Sequence, residues 1–238
     1  MLRSRPAAGV ACLTLFNEGR LNSLTPTSGL ALTDGVEQAG QDPEVRAIIV
    51  TGAGGAFSSG ADLDDLRDDP PTREQLDGCF AVIDAVREAP VPVVAAVDGP
   101  AAGGAWGIAL ACDIRLVSPR STFLAPFVEM GLVPDYGLSA SLPRLAGADH
   151  ALEICLSGRV VTASEAYRRG LVTSVTPEPL EAATRLAQDV ARHSRESVTR
   201  IKRMLLEPAD HKSEAEVQAS LLRAPGFAER LDSWRRQI

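Results

Sequence analysis

The chain has 238 residues, 45% of them hydrophobic, and a formal net charge of −7. That length and apolar share suffice for one well-buried core with a helical tail, and the acidic balance argues against a broad nucleic-acid footprint. No run of residues reaches a membrane span and the first ten, with Arg3 and Arg5, hold no export segment, so no membrane or nucleic-acid partner is expected and a cytoplasmic location is.

Strand and helix patterns alternate along the chain. Val10 to Phe16 is apolar and ends at the polar turn Asn17-Glu18-Gly19-Arg20, and Pro26 opens a helix to Ala39 with Leu30, Val36 and Ala39 on its buried face. Ala47 to Val50 is a short continuous apolar run of the kind buried in a sheet, giving a strand, helix and strand unit. After the glycine-rich stretch 52–60, Asp62 to Leu66 reads as a brief helical turn, and Arg73 to Glu88 as a helix with Leu76, Phe80 and Ile83 on successive turns. Val91 to Val97 is the next strand, Gly104 to Cys112 a small-residue helix, and Ile114 to Ser118 a strand with Thr122 to Ala125 pairing nearby. Beyond Pro134, helices are expected from Leu138, Asp149, Ala163 and Leu180, with a late strand over Val172 to Val175. The region after residue 190 reads as a polar helical tail broken at Glu207-Pro208 and Ala224-Pro225-Gly226, so residues 1–190 and 191–238 are expected as core and tail.

The cysteines Cys12, Cys79, Cys112 and Cys155 are widely spaced in apolar surroundings and read as small core residues in a reducing compartment. His150, His193 and His211 form no metal-ligand spacing, so no metal site is expected.

Two glycine-rich segments carry the chemistry: 53–63, AGGAFSSGADL, and 98–104, DGPAAGG. Each follows an apolar strand and precedes a helix, a setting that can bring two backbone N–H groups around one carbonyl oxygen. The first lacks dinucleotide spacing and a phosphate-loop lysine. Gly104 stands at a helix start, where free amides and the positive end of the helix dipole favour developing negative charge.

These segments, with Leu21-Asn22-Ser23-Leu24, Val94-Ala95-Ala96-Val97, Ala111-Cys112-Asp113, Gly131-Leu132-Val133-Pro134-Asp135 and Leu142-Pro143-Arg144-Leu145, resemble the crotonase, or enoyl-CoA hydratase/isomerase, superfamily in order and spacing over almost the whole chain. The resemblance implies an α/β fold, a spiral of ββα repeats with a helical C-terminal region used in trimerisation, and hence a homotrimer or a dimer of trimers. It implies acyl-CoA thioester substrates, with coenzyme A as part of the substrate and no tightly bound cofactor. Ala61 and Gly104 match the positions whose amides form the oxyanion hole. Arg20, Leu21, Ser59, Gly60, Ala61, Asp62 and Leu63 match or adjoin segments that hold the CoA moiety, largely through backbone atoms.

The glutamates of the best-known hydratases would fall at Gly107 and Phe127, neither of which can move a proton. Asp135 matches the position that carries the working carboxylate in some related isomerases, although an aspartate after proline also suits a turn or a helix N-cap. Glu129 is its rival; strand alternation would put it on the same face as Phe127. Trp106, Phe127 and Tyr136 are candidates for an apolar acyl pocket or for ordinary core packing. The resemblance, with these departures from it, implies a double-bond isomerase with Asp135 as proton carrier. An atypical hydratase, a secondary-metabolic crotonase and a non-catalytic acyl-CoA-binding protein are the alternatives.

Overall fold

A computed structural model describes residues 1–207 and 210–236. Its main sheet has six strands in the order β1-β2-β3-β4-β6-β9. β1 (Leu2–Ala7) runs antiparallel to β2 (Val10–Leu15), and every later pair is parallel. Between β2 and β3 (Ala47–Gly52) lies helix α1 (Pro26–Gln41); α2 (Leu63–Asp68) and α3 (Arg73–Glu88) precede β4 (Val93–Val97). The chain continues through β5 (Pro100–Ala102), α4 (Gly104–Ala111), β6 (Ile114–Val117) and β7 (Thr122–Leu124). It then passes through a 3-10 turn at Pro126–Met130, α5 (Leu138–Ala146), α6 (Ala148–Ser157), β8 (Val161–Thr162), α7 (Ala163–Arg168), β9 (Ser174–Val175) and α8 (Pro179–Ala191).

The central strands read as unbroken apolar runs because both faces of the sheet are covered. Side chains alternate between the faces: Leu13, Ile48, Val50, Val93 and Ala95 join Leu32 and Val36 of α1, Val82 and Val86 of α3 and Ile108 of α4. Cys12, Ala47, Ile49, Val94 and Ala96 face the other way, onto Ala183 and Ala187 of α8. β1 escapes a hydropathy reading because it is a polar edge strand, exposed over most of its length, where Pro6 is tolerated.

A second, smaller layer orders the loops. β5 pairs with β7 in parallel and β7 with β8 antiparallel, and the isolated parallel bridges Ser58↔Ala101 and Leu24↔Ala61 continue this layer toward the N-terminal side. Successive units therefore each contribute a strand to the main sheet, a short extended crossing to the second layer, and then helix, which is the ββα spiral implied by the resemblance. The crossings are too short to show in hydropathy.

Several expectations change. Leu30 is exposed, and the buried face of α1 is carried by Leu32, Thr33 and Val36 with small glycines between them. The late strand shrinks to Ser174–Val175, because Leu171 and Val172 go into the core instead. Residues 126–130 form a 3-10 turn and not a strand, so two-residue alternation does not hold there.

By contact density the chain divides into two compact units, Met1–Arg192 and His193–Ile238. Within the second lie α9 (Arg195–Leu206), α10 (His211–Leu222) and α11 (Phe227–Arg235). Ser194 caps α9 by accepting from the Ser197 amide, and Asp210 caps α10 by accepting from the Ser213 amide. The expected break at Glu207-Pro208 lies partly outside the described residues; that at residues 224–226 is present, with Gly226 at the N-cap of α11.

Candidate active site

The site is built where the two glycine loops meet. In the bridge between Leu24 and Ala61, the Leu24 amide donates to the Gly60 carbonyl (2.7 Å) and the Asp62 amide to the Leu24 carbonyl (3.0 Å). A parallel bridge of that pattern turns the N–H of Ala61 away from Leu24. The second loop enters α4 with the Gly103 amide donating to the Leu124 carbonyl (2.9 Å), which leaves Gly104 as first residue of the helix. The amide of a helix's first residue has no carbonyl one turn earlier within the helix. Gly60 brings the loops together: its φ is +85°, and a Cβ there would stand 2.6 Å from the Ala102 carbonyl oxygen and 3.7 Å from the Gly103 α-carbon. Only glycine combines that backbone with so close an approach. Ala61 and Gly104 thus belong to adjoining segments.

Segment 20–24 clamps the first loop. Asn22, at φ +56°, donates through Nδ2 to the carbonyls of Ala53 (2.8 Å) and Ala56 (2.9 Å). The Ser59 amide donates to the Leu21 carbonyl (2.9 Å), and the Ser59 hydroxyl to the Arg20 carbonyl (3.2 Å). Asp62, whose side chain is 5% exposed, accepts from the Ser23 hydroxyl (2.8 Å), from Arg20 Nη1 (2.8 and 2.9 Å) and from the amides of Asp64 and Asp65 as N-cap of α2. The Ser23 hydroxyl first, and Arg20 with it, hold this carboxyl below the usual aspartate range. Its hydrogen-bonding capacity is used within the fold. Arg20 remains half exposed, and Leu21 and Leu63 are exposed beside it.

Asp135 arrives from the other side. It is not the cap of α5: the N-cap is Gly137, at φ +68°, with no side-chain cap bond, and Asp135 supplies only its carbonyl to the Leu138 amide (2.8 Å). Its Oδ1 is buried with no hydrogen-bond partner, and burial pushes the carboxyl up to about 6, offset in part by a backbone hydrogen bond. A buried, unpartnered carboxylate oxygen is a candidate proton acceptor.

Tyr136 forms the wall between these parts. It adopts φ +45°, and its ring stands where a Cβ on Gly104 would go, with Cδ2 2.3 Å and Cε2 2.8 Å from that point. Its carbonyl oxygen and Cβ occupy the corresponding space beside Gly107, at 2.4 and 2.9 Å. Phe80 of α3 meets the ring edge-on, with centroids 4.8 Å apart, and Cys79 shares a hydrogen bond with the hydroxyl. The sequence placed Phe80 on the core face of its helix; nothing local pointed to Cys79, because its partner is distant in the chain.

The remaining candidates separate. Phe127 is buried, with Cζ 3.8 Å from where a Cβ on Gly103 would lie. Glu129 does not share its face: it is exposed on the 3-10 turn, its carboxylate against Gly158 at the end of α6. Trp106 is fully buried against Phe123, with centroids 5.4 Å apart, in the main core. Asp98 pairs with Arg120, and Asp113 accepts from the Val93 amide (2.7 Å), both structural uses.

Among the described residues no three His, Cys, Asp or Glu side chains gather as a metal ion would need, and no helix is long and apolar enough to cross a membrane.

Comparison with known proteins gives the family. The family model described as enoyl-CoA hydratase/isomerase matches residues 5–225. The chain is 37% identical over 232 residues to the protein of Mycobacterium bovis named "Probable enoyl-CoA hydratase echA12", covering 92% of this chain and 81% of that one. A crystal structure of an enoyl-CoA hydratase from Bacillus anthracis superposes with a TM-score of 0.90 at 26% identity, over 99% of this chain and 96% of the other. That of a probable enoyl-CoA hydratase/isomerase from Mycobacterium abscessus gives 0.86 at 31% identity, over 99% and 95%. With the spiral of ββα units, the paired glycine loops and these matches in agreement, the chain belongs to the crotonase, or enoyl-CoA hydratase/isomerase, superfamily of enzymes.

Proposed function

We propose that this enzyme shifts a double bond in an acyl-CoA thioester, converting a β,γ-unsaturated acyl group to its α,β-isomer through an enolate. The observation that carries the reading is the single carboxylate: Asp135 has a buried, unpartnered oxygen, while Gly107 is filled by Tyr136 and Phe127 is apolar. Asp135 removes a proton from the carbon next to the thioester. The electron pair moves onto the thioester oxygen, which accepts hydrogen bonds from the amides of Ala61 and Gly104. Asp135 then returns the proton at the γ-carbon as the double bond moves into conjugation. Two preorganised donors stabilise the dienolate more than the ground state; one such donor is worth about 3 kcal/mol.

The CoA portion lies along Arg20, Leu21, Ser59, Gly60, Asp62 and Leu63. Asp62, with its carboxylate already engaged, contributes through its backbone. Coenzyme A enters with the substrate, and the reaction needs no metal or redox cofactor, since the proton and both electrons it moves stay within the substrate and Asp135. The protein works as a homotrimer or a dimer of trimers; Leu205, 80% exposed, and Leu206 and Ile201 beside it offer apolar surface for assembly. Mass measurement in solution tests this.

A panel of enoyl-CoA compounds, analysed for product mass and double-bond position, tests the reaction. Rearrangement without mass change is expected. Gain of one water with little rearrangement would instead establish an atypical hydratase, and tight binding without turnover a binding protein.

A further inference from the structure

Tyr136 is held in a conformation that its residue type does not favour. Only Leu21, Asn22 and Tyr136 among the described non-glycine residues have positive φ, and Tyr136 is followed directly by Gly137, which adopts the same region as glycine readily does. A bulky residue at such a position is a genuine outlier, and outliers of this kind cluster at functional sites. The surroundings over-determine it: the residue is 7% exposed, its ring edge-on to Phe80, hydrogen-bonded to Cys79 and pressed on Gly104. The ring is therefore a fixed wall and not a swinging side chain.

Its position relative to the chemistry is specific. The ring lies against the α-carbon of Gly104, whose amide is one of the two donors assigned above, and the preceding residue is Asp135. The ring packed on Gly104 is therefore a fixed aromatic side chain next to the donor that, on the reading above, holds the thioester oxygen.

We propose that Tyr136 is a specificity-determining residue that restricts this enzyme to acyl thioesters unbranched at the carbon next to the carbonyl. The proposal rests on the acyl-thioester reading given above but not on the direction or kind of turnover. It is tested by binding, with saturated ligands that cannot react across a double bond. Butanoyl-CoA and 2-methylbutanoyl-CoA are titrated calorimetrically into the full-length wild-type enzyme, Tyr136→Phe and Tyr136→Gly. Glycine suits the positive φ and so preserves the backbone that presents Asp135.

One methyl group against a rigid apolar wall discriminates by about tenfold or more. The wild type and Y136F, which keeps the ring, are expected to prefer the unbranched thioester by about that factor. Y136G should bring the two affinities within about twofold of each other. Equal affinities in the wild type overturn the proposal without recourse to any variant. An unchanged preference in folded Y136G overturns it as well. Failure of the wild type to bind either thioester, while refuting the proposal, would locate the error in the acyl-thioester reading itself.

Discussion

The carbonyl oxygen of Tyr136 lies 2.4 Å from the point where a Cβ on Gly107 would stand. Real Cβ atoms do not approach backbone that closely, so the place where the family's hydratases put a glutamate is filled here by main chain. Gly107→Ala should destabilise the enzyme by about 1–3 kcal/mol through overpacking, and lower turnover because Tyr136 and Asp135 must shift together. Gly107→Glu should not create a hydratase. Denaturant unfolding and an assay for water addition check both; a stable G107E with hydratase activity would show that room for the carboxylate exists.

The proton acceptor must be ionised to act. With the Asp135 carboxyl pushed up to about 6 by burial, kcat/KM should rise with pH and level off, with an apparent pKa near that value. A rate that is flat from about pH 5 to 8, with substrate binding unaffected, would assign the base elsewhere.

Asp135→Asn couples activity to stability in opposite senses. The carboxyl titrates near 6 in the folded chain and near about 3.9 in an unfolded one, so over that interval the folded state binds more protons and wild-type stability falls as pH rises. The loss is complete above the folded value. D135N lacks it and should be more stable than wild type by about 1–3 kcal/mol at pH 8, with the two equal near pH 4. Turnover should drop by about a hundredfold or more with acyl-CoA binding retained. Urea titrations at the two pH values, with steady-state kinetics, measure these effects; near-normal kcat in D135N would remove Asp135 from the mechanism.

Gly60 sets the distance between the two glycine loops. Gly60→Ala introduces a side chain 2.6 Å from the Ala102 carbonyl on a backbone of φ +85°, and the loops must part. A fall in kcat of about tenfold or more is expected, with KM changed less, because a misaligned donor loses transition-state stabilisation first. Equal losses in substrate and product-analogue binding with kcat intact would mean that the loop serves binding alone.

The buried strands, the long helices and the two glycine loops were legible in the sequence, because each depends on hydropathy period or on glycine and proline chemistry within a few residues. So was the order of motifs by which the family was recognised. What hydropathy did not show were β1, a polar edge strand, and the two- or three-residue crossings such as Pro100–Ala102, whose partners Ser58 and Thr122 lie far along the chain. The expectation that Phe127 and Glu129 share a face failed because a 3-10 turn beginning at Pro126 sends Phe127 inward and Glu129 to the surface. The resemblance singled out Asp135 as a candidate carboxylate, and the isolated sequence left it open as a cap or a base; the fold places Gly137 at the cap and buries one Asp135 oxygen without a partner. Tyr136 shows the same division. Its identity is local, but its role depends on Gly104 and Gly107 of one helix and Phe80 and Cys79 of another, and contacts between residues so far apart in the chain exist only once the layers have packed.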